Sequence, residues 1–166
     1  MSFDPSGVRV IRIETAVEMA AACEEALPSQ IAVMTAAVAD WRTTLPAYEK
    51  IKKQADNTPL SLELTENPDI LAGLANHTHR PDLIVGFAAE TDDLEANAKS
   101  KLTSKNCDWV IANKIGEEGI GFGSDNNAVT IFKKDGSSET HGPTTKLALA
   151  QTIIQAINDS LGNTPS

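Results

Sequence analysis

Ile31 to Arg42 reads "IAVMTAAVADWR". Ile31 to Ala36 is a short, nearly continuous apolar run. Such a run fits a strand buried on both faces, as in a parallel sheet under helices. The small residues that follow lead, with almost no turn punctuation, into Asp40, Trp41 and Arg42. A core strand that ends in an acid, an indole and a guanidinium carries polar chemistry to the carboxyl end of a sheet. That is where open α/β sheets place their ligands.

The flanking sequence supports the same class. Val8 to Ile13 alternates apolar and basic residues and predicts an edge or half-exposed strand. Thr15 and Glu18 have capping-box spacing ahead of a helix over Ala16 to Leu27, which Pro28 ends. Thr43 to Asn57 is polar, rich in lysine and broken by Pro46, so it reads as a loop. Leu60, Leu62 and Leu64 alternate with polar residues and predict a strand with one wet face. In "NPDILAGLA", Asn67 is the expected N-cap, Pro68 the first helical residue and Asp69 a favourable charge at the positive dipole end. Leu83 to Ala89 and Asp108 to Ala112 read as buried strands, with a helix over Leu94 to Lys105 between them. Ala128 to Lys133, the Asp135-Gly136 turn and Glu139 to His141 form a β-hairpin pattern. Lys146 to Leu161 is an amphipathic helix. Alternating strand and helix predicts an α/β fold: a Rossmann-like, mostly parallel sheet flanked by helices, with an added β-hairpin.

Composition narrows the function classes. The 166 residues suit a single domain. A net charge of -9 repels nucleic acid and anionic lipid at long range, so neither is an expected partner. No apolar run reaches the roughly 18 residues of a membrane helix, and "MSFDPSGVRV" lacks the pattern of a secretory signal. Cys23 and Cys107 lie in apolar patterns without a CxxC pair, which points to two buried thiols in a reducing cytoplasm.

Three strand ends carry unusual residues: Ala36 to Asp40, Gly86 to Thr91, and Ala112-Asn113. Small residues at the first two let a flat ring approach the backbone, and Asp40, Glu90 and Asn113 can accept from ring or sugar donors. Any one strand end is adequately explained by close helix packing and a solvated acid; several sharing the pattern favour a ligand cleft. Lys50, Lys52 and Lys53 in "YEKIKK" suit phosphate as point charges, against the plainer reading of a solvated loop. Lys101 and Lys105, four apart, share one helix face, and with Lys99 they otherwise serve only to complement the helix dipole. The glycines of "GEEGIGFGSDNN" lead into a strand, not a helix, and so do not form a dinucleotide fingerprint. His77 and His79 read as loop residues, and no carboxylate cluster has metal-site spacing.

In order, "AAVADWR", "EKIKK", "NPDIL", "VGFAAET", "AKSKLTSK", "D-WVIAN" and "GFGSDNN" resemble the synthetase part of the bacterial phosphopantothenoylcysteine synthetase family. The match runs from about Val8 to the final helix. The resemblance implies a cytoplasmic ligase of coenzyme A biosynthesis, homodimeric and fused or associated with a decarboxylase domain. It implies that CTP, accompanied by Mg²⁺, activates the carboxylate of 4'-phosphopantothenate as an acyl-cytidylate, and that cysteine then forms the amide and releases CMP. It assigns CTP to Met34, Thr35, Ala36, Asp40, Lys50, Pro68, Asp69, Ile70, Leu71, Phe87, Lys101 and Lys105. Within that set, Lys50 is the catalytic lysine of a flap spanning about 43–57, Asp40 lies on the cytidine side, and Lys101 and Lys105 meet the triphosphate. No metal ligand is assigned.

Members of that family open this region with a strand, a glycine-rich turn and an Asn–Ser–Ser–Gly-type segment. Here the chain begins at "GVRVIRIETA" and contains no "SSG". The expectation is therefore an N-terminally truncated domain that holds CTP but is inactive or weakly active alone. Two other classes stand beside the ligase. One is a nucleotide-binding fragment without chemistry. The other is an NAD(P)-dependent Rossmann-like oxidoreductase, for which Tyr48 and Lys52 have the right spacing but sit in a segment that does not read as a helix.

Overall fold

The structure, a computed structural model, describes residues 5–45, 49, 61–90, 93–114 and 125–162; of Glu90 and Lys114 it describes the backbone. In chain order the elements are α1 (Ala16–Glu25), β1 (Ile31–Met34), β2 (Trp41–Thr43), β3 (Leu64–Glu66), α2 (Ile70–Ala75), β4 (Leu83–Glu90), α3 (Leu94–Lys105), β5 (Trp109–Lys114), β6 (Asn126–Lys133), β7 (Ser138–Thr145) and α4 (Lys146–Gly162). Five strands form one sheet in the order β1-β4-β5-β6-β7. The β1–β4 and β4–β5 ladders are parallel, and the hairpin strands β6 and β7 add antiparallel ladders. The predicted mixed α/β sheet, largely parallel at its core with an added hairpin, is the fold observed. β2 and β3 pair separately as a two-stranded antiparallel ribbon.

The period of two along each strand builds three layers. Ile84, Ala88, Val110, Ala112 and Phe132 point to one face, where Ile70, Leu74 and Ala75 of α2 and Ala98 and Leu102 of α3 cover them. α1 packs against the same cluster through Met19, Ala20 and Cys23. Val85, Trp109, Ile111, Val129 and Ile131 point to the other face, under Leu149, Ile153 and Ile157 of α4. That four-residue spacing puts the three α4 side chains on one stripe. Between strands, Asp108 accepts from the Ile84 amide and the Arg80 guanidinium, both at 2.8 Å. Among the described residues, no helix is long and apolar enough to cross a membrane.

Several local expectations are corrected. Val8 to Ile13 is irregular and exposed rather than a strand, because alternation makes a strand only where a neighbour supplies the ladder. The first strand stops at Met34 and is not buried on both faces; it lies at a sheet edge, with Val33 exposed. The ribbon takes Thr43 from the expected loop. The Leu60–Leu64 strand begins only at Leu64, and Leu60 lies outside the described residues. α2 starts two residues later than expected: Asp69, not Asn67, is its N-cap and accepts from the Ala72 amide at 3.0 Å, so Pro68 precedes the helix. Cys107 is buried as expected, whereas Cys23 is only partly buried. Burial raises both thiols above the ordinary range, which leaves them poor nucleophiles.

The capping box on α1 is present in both directions. Thr15 Oγ1 accepts from the Glu18 amide, and the Glu18 carboxylate accepts from the amides of Glu14 and Thr15. Those two amides hold the Glu18 carboxyl below its usual value. Thr15→Ala is expected to lower unfolding stability by about 1 kcal/mol, with Thr15→Ser close to the parent. Urea midpoints check this, and an unchanged alanine variant contradicts it.

Candidate functional site

The carboxyl ends of β1, β4 and β5 open into a cleft of about 890 Å³. One wall is the irregular segment from Thr35 to Asp40, which leaves β1 and enters the ribbon. The floor comes from Phe87, Ala88 and Ala89 of β4 and Asn113 of β5. The start of α2, from Pro68 to Leu71, forms a second wall, and α3 contributes Lys101 and Lys105. Every nucleotide-site residue nominated from the sequence lines this one cleft except Lys50. Met34, Thr35, Ala36, Asp40, Pro68, Asp69, Ile70, Leu71, Phe87, Lys101 and Lys105 are brought together from four stretches of chain. Lys50 lies outside the described residues, as do Lys52, Lys53 and Tyr48 of the lysine-rich loop.

Close approach explains the small residues. A Cβ on Gly86 would stand 2.9 Å from a Leu71 methyl, so the glycine lets α2 sit directly on β4. Leu71 and Phe87, its neighbours, then give the cleft an apolar lining that suits a flat ring.

The charges are arranged by α3. Lys101 Nζ donates to the Phe87 carbonyl at 2.6 Å, holding one ammonium over the end of β4. Lys105 pairs with Asp69, whose carboxylate also caps α2. Burial pushes the Asp69 carboxyl up, but the Lys105 ammonium, the Ala72 amide and the charge of Lys101 together hold it below its usual value. Two cations and the Asp40 carboxylate thus line one cleft. The combination fits a ligand that carries phosphate and a ring with hydrogen-bond donors. Lys99 does not join them; it pairs with Glu95 at 2.5 Å on the helix surface.

Met19, Glu66 and Asn67 also line the cleft and were not nominated from the sequence. For Asn67 a signal existed. Asn-Pro-Asp offers two candidate caps for one helix, so one of the two side chains must serve elsewhere. Among the described residues, no group of three His, Cys, Asp or Glu side chains could cage a metal ion. His77 and His79 lie on the α2–β4 connection, with the His79 amide donating to His77 Nδ1 at 3.0 Å, which is a turn contact. A second cleft, about 660 Å³, lies between the hairpin and α4. Its charged groups already have partners: Lys133 pairs with Glu139 at 2.5 Å, and Asp159 accepts from the Gln155 amide at 2.7 Å.

Comparisons with known proteins point the same way. Residues 1–161 match the family described as the DNA/pantothenate metabolism flavoprotein C-terminal domain. The chain is 42% identical over 158 residues to the coenzyme A biosynthesis bifunctional protein CoaBC of Vibrio cholerae, covering 95% of this chain and 39% of that protein. It is 44% identical over 135 residues to CoaBC of Escherichia coli, covering 80% of this chain and 33% of the relative. The chain therefore spans about two-fifths of the length of the curated relatives it matches or less. Among solved structures, the C-terminal domain of a CoaBC protein superposes with a TM-score of 0.77 at 28% identity, covering 98% of this chain and 71% of that one. With nearly its whole length matched, the chain belongs to the family of DNA/pantothenate metabolism flavoprotein C-terminal domains.

Proposed function

We propose that this chain is the phosphopantothenate–cysteine ligase domain of a coenzyme A biosynthesis protein, with CTP as the activating nucleotide. The observation that carries the reading is the convergence, in one cleft, of the residues that the resemblance assigned to CTP. The names of the relatives support the pathway, and the bifunctional relatives support a decarboxylase partner domain.

In this reading the cytidine ring lies between Leu71, Phe87 and the segment Met34 to Ala36, with Asp40 accepting from nucleoside donors. The triphosphate lies toward Lys101 and Lys105, and the helix start at Pro68 to Leu71 borders the nucleotide. A carboxylate oxygen of 4'-phosphopantothenate attacks the α-phosphorus, the bridging P–O bond breaks, and pyrophosphate leaves. The cysteine amine then attacks the acyl carbon, loses a proton, and displaces CMP as the amide forms. The protein's contribution is positioning and charge stabilisation. Lys50 serves as the flap lysine that closes on the triphosphate.

Mg²⁺ accompanies the triphosphate and offsets its charge. The ion would be held mainly by phosphate oxygens, as magnesium usually is at nucleotide sites, since no group of carboxylates among the described residues cages it. The working protein is a cytoplasmic homodimer.

Titration calorimetry tests the reading. The chain is expected to bind CTP in preference to ATP, and Asp40→Ala to weaken CTP and CMP alike by roughly tenfold, the size of a lost hydrogen bond to a charged group. CMP affinity that survives Asp40→Ala removes the cytidine-side role. Equal affinity for CTP and ATP removes the choice of nucleotide.

A further inference from the structure

The wall from Thr35 to Asp40 has no regular structure and leaves the sheet edge, so the sheet ladder does not hold it in place. Two of its consecutive carbonyls are taken by one residue. The Asn67 backbone amide donates to the Asp40 carbonyl at 2.7 Å, and Asn67 Nδ2 donates to the Ala39 carbonyl at 2.8 Å. The Asn67 side chain is itself oriented: Arg42 Nη1 donates to its Oδ1 at 3.4 Å and also to the Glu66 carbonyl. Asn67 is free for this task because Asp69 caps α2. The contact bridges 28 residues of sequence and ties the segment after β1 to the segment before α2.

We infer that Asn67 is a positioning residue for nucleotide recognition: its side-chain amide, donating to the Ala39 carbonyl beside the backbone bond to Asp40, fixes where the Asp40 wall stands in the cleft. The reading of Asp40 as the nucleoside-side acceptor belongs to the proposed function, and the inference rests on it. The clasp sets the nucleoside end alone. Lys101 and Lys105 are held by Phe87 and Asp69, which Asn67 does not touch in this way.

The two ends separate in the experiment. Amide exchange of the unliganded chain, followed by mass spectrometry, compares the parent with Asn67→Ala and Asn67→Asp. The aspartate keeps the size and the Arg42 partner but puts a carboxylate against the Ala39 carbonyl, and it serves if the alanine variant loses the fold. Exchange is expected to rise about tenfold or more at the backbone amide of residue 67, whose bond to the Asp40 carbonyl needs the wall in place, and to stay at the parent rate in β4 and β5, since the loss is local. Calorimetry with CMP, CTP and inorganic triphosphate completes the test. Both nucleotides should weaken by about tenfold, the loss expected when one positioning hydrogen bond is removed, with inorganic triphosphate unchanged. Unchanged exchange at the residue 67 amide overturns the inference. So does an equal weakening of inorganic triphosphate, which marks general damage to the fold. A parent chain that binds inorganic triphosphate but neither nucleotide defeats the proposed function, while the exchange arm still decides whether Asn67 orders the wall.

Discussion

Lys105→Ala is expected to weaken CTP by about 10- to 100-fold, the range of a lost charge-assisted hydrogen bond, and CMP by only a few-fold. The asymmetry follows from the partner that is lost. CMP has a single phosphate, while the outer phosphates of CTP carry the charge that two lysines one helical turn apart can meet. Lys105 has a second effect because it pairs with Asp69. Its removal leaves the Asp69 carboxylate without its ion-pair partner beside the incoming polyphosphate, so repulsion adds to the lost attraction. Lys101 donates to a neutral carbonyl, and Lys101→Ala should show the same preference for CTP loss with a smaller amplitude. Calorimetry on both nucleotides checks the ordering, and equal losses for CTP and CMP contradict the assignment of these lysines to phosphate.

The same substitution has a signature in stability. The Asp69 carboxyl is lowered in the folded chain. Its favourable interactions are therefore fully present above the ordinary carboxylate range and are lost as pH falls through the lowered folded value. Removing Lys105 takes away part of that lowering. The variant should lose stability at neutral pH and show a shallower decline on the acid side.

Gly142→Ala is expected to be the most destabilising of the substitutions considered, by about 3 kcal/mol, which in a chain of this size is roughly a 10 °C fall in Tm. Gly142 adopts φ +99°, where a side chain is strained. The space is closed as well: an added Cβ would lie 2.7 Å from the Asn127 carbonyl oxygen and 2.9 Å from the Ala128 Cα. Both are backbone atoms of β6, at the register shift between Asn127 and Val129. They cannot rotate away, so β6 and β7 must separate. Gly86 gives the contrast, since the atom it would meet is a Leu71 methyl that can change rotamer. Thermal and urea unfolding measure both, and a Gly142→Ala variant as stable as Gly86→Ala refutes the argument.

The expected elements survive where their signals were local. The Thr15–Glu18 pair is read within four residues, and the stripe of Leu149, Ile153 and Ile157 within nine. Expectations failed where the outcome depends on a distant neighbour. Val8 to Ile13 alternates like a strand, yet no described strand pairs with it. Ile31 to Met34 is apolar enough for burial on both faces, but its position at the sheet edge is set by β4 and by nothing in its own sequence. Asn67 satisfies the local rule for the α2 N-cap, yet its side chain donates to the Ala39 carbonyl and Asp69 caps the helix instead. The cleft was legible for a different reason. Most of its parts sit at strand ends and at the start of α2, positions that a parallel sheet gathers, while Lys101 and Lys105 reach it from the C-terminal half of α3.

The two hydrophobic layers differ in their relation to the cleft. Met19, Met34, Ile70, Leu71 and Ala88 belong to the α1–α2–α3 side and line it. On the α4 side, Phe87 alone among the clustered residues reaches it. Tighter packing beneath α4, at Leu149, Ile153 or Ile157, can therefore be used to raise thermal resistance with the ligand-facing wall left as it is. The opposite layer offers less freedom, because five of its residues also form the binding surface. An effort to make this protein robust for storage or crystallisation should begin at α4.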